Sequence, residues 1–130
     1  MAQVKLMQNQ KQMSAIIHDL CKRALDGELN LENFYELWPE EASHNLFLKQ
    51  IYEDIEDGVQ HLPGTWRTGK MLSNEWYKSD MYFTIYLDFL LLDYDVKKTD
   101  ELIQCRKFIL EQRNLSVEMI KDGIKQCFKR

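Results

Sequence analysis

An all-α fold, an antiparallel bundle of five or six helices around a central apolar helix, is predicted by three observations on this chain. Only five Gly and two Pro occur in 130 residues, too few punctuating residues for a turn-rich β protein. Leu, Lys, Glu, Met and Gln, which lose little rotamer freedom in a helix, are plentiful. Apolar residues recur at three- and four-residue spacing, the period of one helix face. With 45% hydrophobic and 12% aromatic content, residues 1–130 are expected to form a single domain with one core.

Each element has its own local signals. Met13, Ile16, Ile17, Leu20, Cys21, Ala24 and Leu25 share a face and predict a helix over 9–26, which Gly27 is placed to end. Asn30 is placed to cap a short helix through Phe34 and Leu37. That helix must stop near Trp38, because the Pro39 ring disfavours helical geometry in the residue before it. Ser43 is the candidate cap of the next helix, whose stripe of Phe47, Leu48, Ile51, Ile55 and Val59 leads to a turn at Pro63-Gly64. Gly58, within that stripe, costs about 1 kcal/mol of helix propensity but would let a neighbouring helix come close.

A loop over 65–72 carries Trp66, Arg67 and Lys70, after which Ser73 or Ser79 is the candidate cap of a helix reaching about Tyr94. Its residues, among them Trp76, Met81, Phe83, Ile85, Leu87, Phe89 and Leu91, leave almost no polar face, so other helices must surround it. The apolar segment 81–92 has 12 residues and contains Asp88, too short for a membrane span. Thr99 begins a further helix with Leu102, Ile103, Arg106, Ile109 and Leu110, and Asn114 is placed to end it. Ser116 is the candidate cap of the last, with Leu115 and Ile120 as a hydrophobic staple and Val117, Ile120, Ile124, Cys127 and Phe128 as its buried stripe.

Charge is distributed unevenly. From Asp26 to Asp57 ten carboxylates face one cation, Lys49, a net −9 in a chain whose total is −4. Such a field attracts a basic partner and repels nucleic acid. At about 100° per residue, Glu53, Glu56 and Asp57 lie on the side of their helix away from the apolar stripe, in solvent. Arg106, Lys107, Arg113, Lys121, Lys125, Lys129 and Arg130 alternate with acids and make no uniform basic stripe, so no nucleic-acid partner is expected.

Neither a serine-nucleophile elbow nor a glycine-rich phosphate loop occurs, so no catalytic residue, cofactor or enzymatic activity is expected. Glu53, Asp57 and His61 are spaced four and four apart and could share one helix face toward a divalent metal. Bundle metal sites draw ligands from several helices, and no second ligand helix is evident, so a solvated acidic face is expected and no metal. His18 and Cys21 share a face without a second pair to complete a zinc site, which points to core packing. Three cysteines without CxxC spacing, Cys21, Cys105 and Cys127, suggest buried thiols in a reducing compartment. The first twelve residues lead into no apolar run of signal-peptide type, and residence in the cytoplasm, away from membranes, is expected. Asp88, set among apolar residues, should meet an Arg, Lys, Tyr or His in a structural ion pair or lie at the core's edge.

The segment ALDGELNLENFY (24–35), followed by the apolar helix ending IYEDIED (51–57), resembles colicin-D-type immunity proteins over residues 24–63. The shared layout is a helix, a short Gly-Glu link, a helix containing Phe, and an acidic helix. The resemblance implies a small helical bundle that neutralises an RNA-cleaving toxin by covering its basic active site with carboxylates. It carries over the position of the acidic helix and no individual residue.

The expectation is therefore a protein that binds a partner with a basic surface through Glu36, Glu40, Glu41, Glu53, Glu56 and Asp57. Tyr35, Trp38, Tyr52, Trp66, Trp76 and Tyr77 lie in or near this region, and Trp66, on its loop, is the aromatic anchor singled out. The alternative is a scaffold subunit that forms a homodimer or larger oligomer through an apolar helix face, the acidic surface serving solubility alone.

Overall fold

The computed structural model describes residues 2–61, 80–112 and 117–128, with side chains at 11–60, 83–112 and 118–128. The chain is all-helical over these residues: α1 (Ala2–Leu25), α2 (Leu31–Leu37), a 3-10 helix (Glu40–His44), α3 (Leu46–His61), α4 (Asp80–Leu91), α5 (Thr99–Glu111) and α6 (Val117–Cys127). The Pro63-Gly64 turn, the 65–72 loop with Trp66, the caps assigned to Ser73, Ser79 and Ser116, the stop at Asn114 and the Leu115 half of the staple lie outside the described residues.

Local chemistry sets the boundaries. Gly27 adopts φ 74°, a left-handed geometry with no Cβ to clash, and ends α1. Its N–H donates to the Ala24 carbonyl at 3.2 Å and the Glu28 N–H to the Arg23 carbonyl at 2.8 Å, the paired bonds of a Schellman cap. Upstream, α1 begins at Ala2 rather than residue 9, because residues 2–8 contain good helix formers and nothing that stops a helix. Asn30 caps α2 as expected, its Oδ1 accepting the Asn33 N–H at 2.8 Å. Trp38 turns extended at ψ 125°, as the following proline requires.

The cap of α3 is Asn45, not Ser43, which lies inside the 3-10 helix. Asn45 Oδ1 accepts the N–H groups of Phe47 and Leu48 at 2.9 and 3.1 Å. Its Nδ2 donates to Thr99 Oγ1 at 3.0 Å and to the Val96 carbonyl at 3.3 Å, tying the start of α3 to the start of α5. A serine hydroxyl has neither the reach nor the second donor for both tasks. Helix α4 ends at Leu91, three residues before Tyr94, as the Asp93 and Tyr94 N–H groups bond the Leu90 and Leu91 carbonyls at 3.2 and 3.0 Å and tighten the last turn.

Helix α4 packs against α1, α3, α5 and α6, the central position its composition predicts. One core contains Ile17, Leu20 and Leu25 of α1, Phe47, Ile51 and Ile55 of α3, Ile85, Leu87 and Leu91 of α4, Leu102 and Ile109 of α5, and Ile120 and Ile124 of α6. The α3 stripe is buried throughout, and α2 lies along it through Phe34 and Trp38 against Tyr52, with ring centroids 5.0 and 5.1 Å from Tyr52. Gly58 is buried in that stripe. A close helix approach occurs at Gly123 of α6, where a Cβ would meet Ile109 Cδ1 of α5 at 2.6 Å. Cys127, expected in the buried stripe of α6, is instead exposed, because it opens onto a surface groove between α5 and the end of α6. Phe128 covers that end by stacking on Tyr94, centroids 4.4 Å apart.

Two substitutions test these boundaries by urea unfolding. Asn45→Ala removes a cap and two cross-links and should cost about 1–3 kcal/mol. Gly27→Ala should cost about 1 kcal/mol, since alanine must enter the left-handed region.

Candidate functional site

Two charged assemblies occupy the same helix, α3, on different sides. Toward the core, Asp54 turns inward rather than joining the solvated acidic face. Arg106 of α5 donates from Nη2 to Asp54 Oδ2 at 2.7 Å and from Nε to Asp88 Oδ1 of α4 at 3.2 Å. The Asp88 side chain is 0% exposed, and those of Arg106 and Asp54 are 15% and 17% exposed. Asp88 thus meets the cationic partner that its apolar surroundings demanded, in the interior rather than at the core's edge.

Two carboxylates on one guanidinium leave an excess negative charge in a place that cannot solvate it. Burial first, then the hydrogen bond and charge of Asp54, push the Asp88 carboxyl well above the ordinary aspartate value of 3.8, against the opposing pull of Arg106. Asp88 Oδ2 is buried and receives no N–H or O–H from another described residue, and it lies close enough to Asp54 for the two carboxyls to perturb each other. Burial works against the Arg106 charge, but the two carboxylates outweigh it and raise its pKa. Cys21 of α1 closes the site; burial, followed by the charges of Asp88 and Asp54, keeps its thiol strongly protonated. This is the chemistry of a structural lock, with Cys21 packed as the sequence suggested.

On the outer side of α3, Glu53 and Asp57 are exposed, whereas Glu56 is half-buried on the flank facing α2. Tyr35 donates its hydroxyl to Glu56 Oε2 at 2.7 Å, and Glu56 interacts with Tyr52 as well. The hydrogen bond to Glu56 is the main reason the Tyr35 hydroxyl is raised, while at Tyr52 burial comes first and the Glu56 charge second. This contact joins the α2 surface to the α3 surface. Glu36 follows Tyr35 on α2 and is exposed, and Glu40 and Glu41 are exposed on the 3-10 helix that packs against α3. The acidic residues on α2, the 3-10 helix and α3 therefore sit on consecutive elements that touch. Exposed Leu37 and Leu46 interrupt them with apolar surface, at 45% and 63% exposure.

Trp66, the expected anchor, lies outside the described residues, as does the His61 side chain. Among the described residues no group of three His, Cys, Asp or Glu could hold a metal ion, and no helix is long and apolar enough to cross a membrane. His18 is half-buried and stacks on Phe89 with centroids 4.0 Å apart, its Nε2 3.7 Å from Asp93 Oδ1. The linkage of Asp54 to Asp88 through Arg106 was beyond sequence reasoning as a set, although the isolated Asp88 signalled that a partner must exist. Comparison of the chain with protein-family models, with curated proteins and with solved structures gives no match in any of the three.

Because the folded-state value of Asp88 is raised, the unfolded chain ionises first as pH rises. The stability this group contributes is full below about pH 3.8 and is lost as pH climbs through the folded-state value. Asp88→Asn supplies an acceptor to Arg106 and a permanent N–H to Asp54, so it should hold or raise stability at pH 7 and flatten this pH dependence in urea titrations. Arg106→Met, which leaves the carboxyls without their cation, should lose about 3–5 kcal/mol.

Proposed function

We propose that this chain is a binding protein of the immunity or inhibitor class that occupies a basic surface on a partner protein. The observation carrying this reading is the sorting of charge on α3: Asp54 is neutralised internally by Arg106, while Glu53 and Asp57 face solvent. Glu28, Glu32, Glu36, Glu40 and Glu41 are exposed on the preceding segments, so the field of the acidic block is directed outward. A surface of this kind accelerates encounter with a basic partner and rejects an acidic one. Tyr35 and Leu37, 49% and 45% exposed, supply apolar contact among the carboxylates, and Trp66 is a further candidate anchor.

An RNA-cleaving toxin fits such a surface, because an enzyme that binds a polyanion must present a basic site. Inhibition would then be mimicry of phosphate charge by Glu36, Glu40, Glu41, Glu53, Glu56 and Asp57, in the cytoplasm where such a toxin acts.

Phe108 on α5 and Met119 on α6, 48% and 53% exposed, favour a second reading, self-association through an apolar face. Affinity capture from native cells at low and then high salt separates the two. A basic, nuclease-like protein recovered at low salt and lost at high salt is the expected outcome. Recovery of only further copies of this chain, in both salts, would replace the inhibitor reading with the oligomeric one.

With the captured partner in hand, combining Glu53→Gln, Glu56→Gln and Asp57→Asn should slow association roughly tenfold or more at low salt while the helical circular dichroism is unchanged. An unchanged association rate would remove the α3 face from the interface.

A further inference from the structure

Cys105 and Cys127 lie on different helices and in opposite environments. Cys105 is 2% exposed on the inner face of α5, and Cys127 is exposed at the end of α6. Both line an open groove of about 440 Å³ together with Asp100, Glu101, Gln104 and Phe108, and Cys127 is near enough to perturb the Cys105 thiol.

Helix geometry explains this proximity. Ile109 of α5 packs over Gly123 on α6 so closely that a Cβ there would lie 2.6 Å from Ile109 Cδ1. Cys105 precedes Ile109 by one turn and Cys127 follows Gly123 by one turn, so the two pairs are successive rungs of an antiparallel helix pair. A glycine at one rung draws the axes together, and a disulfide needs Cα atoms within about 7 Å. The Phe128 ring stacked on Tyr94 holds the end of α6 in place beside Cys127.

We infer that Cys105 and Cys127 form a dithiol site that reduces a low-molecular-weight disulfide and closes an intramolecular bond between α5 and α6. Cys127, the accessible thiol, loses its proton to solvent, and its thiolate attacks one sulfur of the incoming disulfide. A mixed disulfide forms and one thiolate leaves, to be protonated. Cys105 then gives up its proton and attacks the Cys127 sulfur, expelling the second thiol and closing the Cys105–Cys127 bond. Two cysteines are oxidised by two electrons, and one disulfide is reduced to two thiols. Burial and the neighbouring Cys127 push the Cys105 thiol up, which makes the second step the slower one at neutral pH. Its rate should rise roughly tenfold per pH unit between pH 7 and 9, since the reacting thiolate is a minor species there. Cys21, buried against Asp88 and Asp54, takes no part.

The probe is oxidised glutathione, incubated with the full chain under native conditions, followed by alkylation of the remaining thiols, intact mass and peptide mapping. The expected product has lost two hydrogens, links the peptides containing Cys105 and Cys127, and retains one alkylated thiol at Cys21. Cys105→Ala should stop at a single glutathione adduct on Cys127, and Cys127→Ser should remain unmodified. The inference is overturned if the unaltered chain stops at the Cys127 adduct even at pH 9, or if the link joins Cys127 residues of two chains.

Discussion

The guanidinium of Arg106, held between Asp54 and Asp88, constrains three helices at once, and the rest of the bundle is arranged around it. Apolar stripes alone specify a helix register weakly: sliding one helix by a turn, about 5.4 Å, can leave hydrophobic residues facing the core. The same slide would strand Asp88, whose side chain is fully enclosed, without its cation. Arginine suits the position because its planar fork offers Nε to one carboxyl and Nη2 to the other in fixed relative directions. Burial and the neighbouring Asp54 raise the Asp88 carboxyl well above its ordinary value, which eases the cost of enclosing two carboxyls against one guanidinium.

This lock also organises the surface. Because α3 directs Asp54 toward α5 and its apolar stripe toward α1 and α4, its remaining faces are set: Glu56 toward α2, Glu53 and Asp57 toward solvent. Four carboxylates within five residues therefore have three different environments, decided by the angle each makes with the helix axis. The Tyr35–Glu56 bond then carries the acidic surface from α3 onto α2. A rigid surface of like charge is electrostatically unfavourable to assemble, and here it is supported by the aromatic packing of Phe34, Trp38 and Tyr52 beneath it.

The other long-range ties are made by small side chains. Asn45 uses its oxygen to start α3 and its nitrogen to hold the beginning of α5, which brings two helix N-termini together without charge. Gly123 contributes by what it lacks, allowing α6 to close on Ile109 and placing Cys105 and Cys127 along one groove. Both arrangements depend on residues 51 and more apart or on separate helices, so neither has a local signature.

By itself the sequence determined the helical class, the stripes of α3 and α5 and that of α1 except Ile16, which is 41% exposed, the Gly27 stop, the Asn30 cap, the break at Pro39 and the need for a partner or an edge position at Asp88. Those features follow from period, backbone sterics and desolvation, which act within a turn or two of the chain. Tertiary structure alone decided that Arg106 is that partner, that Asp54 leaves the acidic face to share it, that Asn45 rather than Ser43 starts α3, and that Cys127 is exposed beside Cys105. Each of those outcomes depends on which helix lies opposite a given side chain, and the one-dimensional pattern of a helix gives the direction of a side chain without naming what it meets.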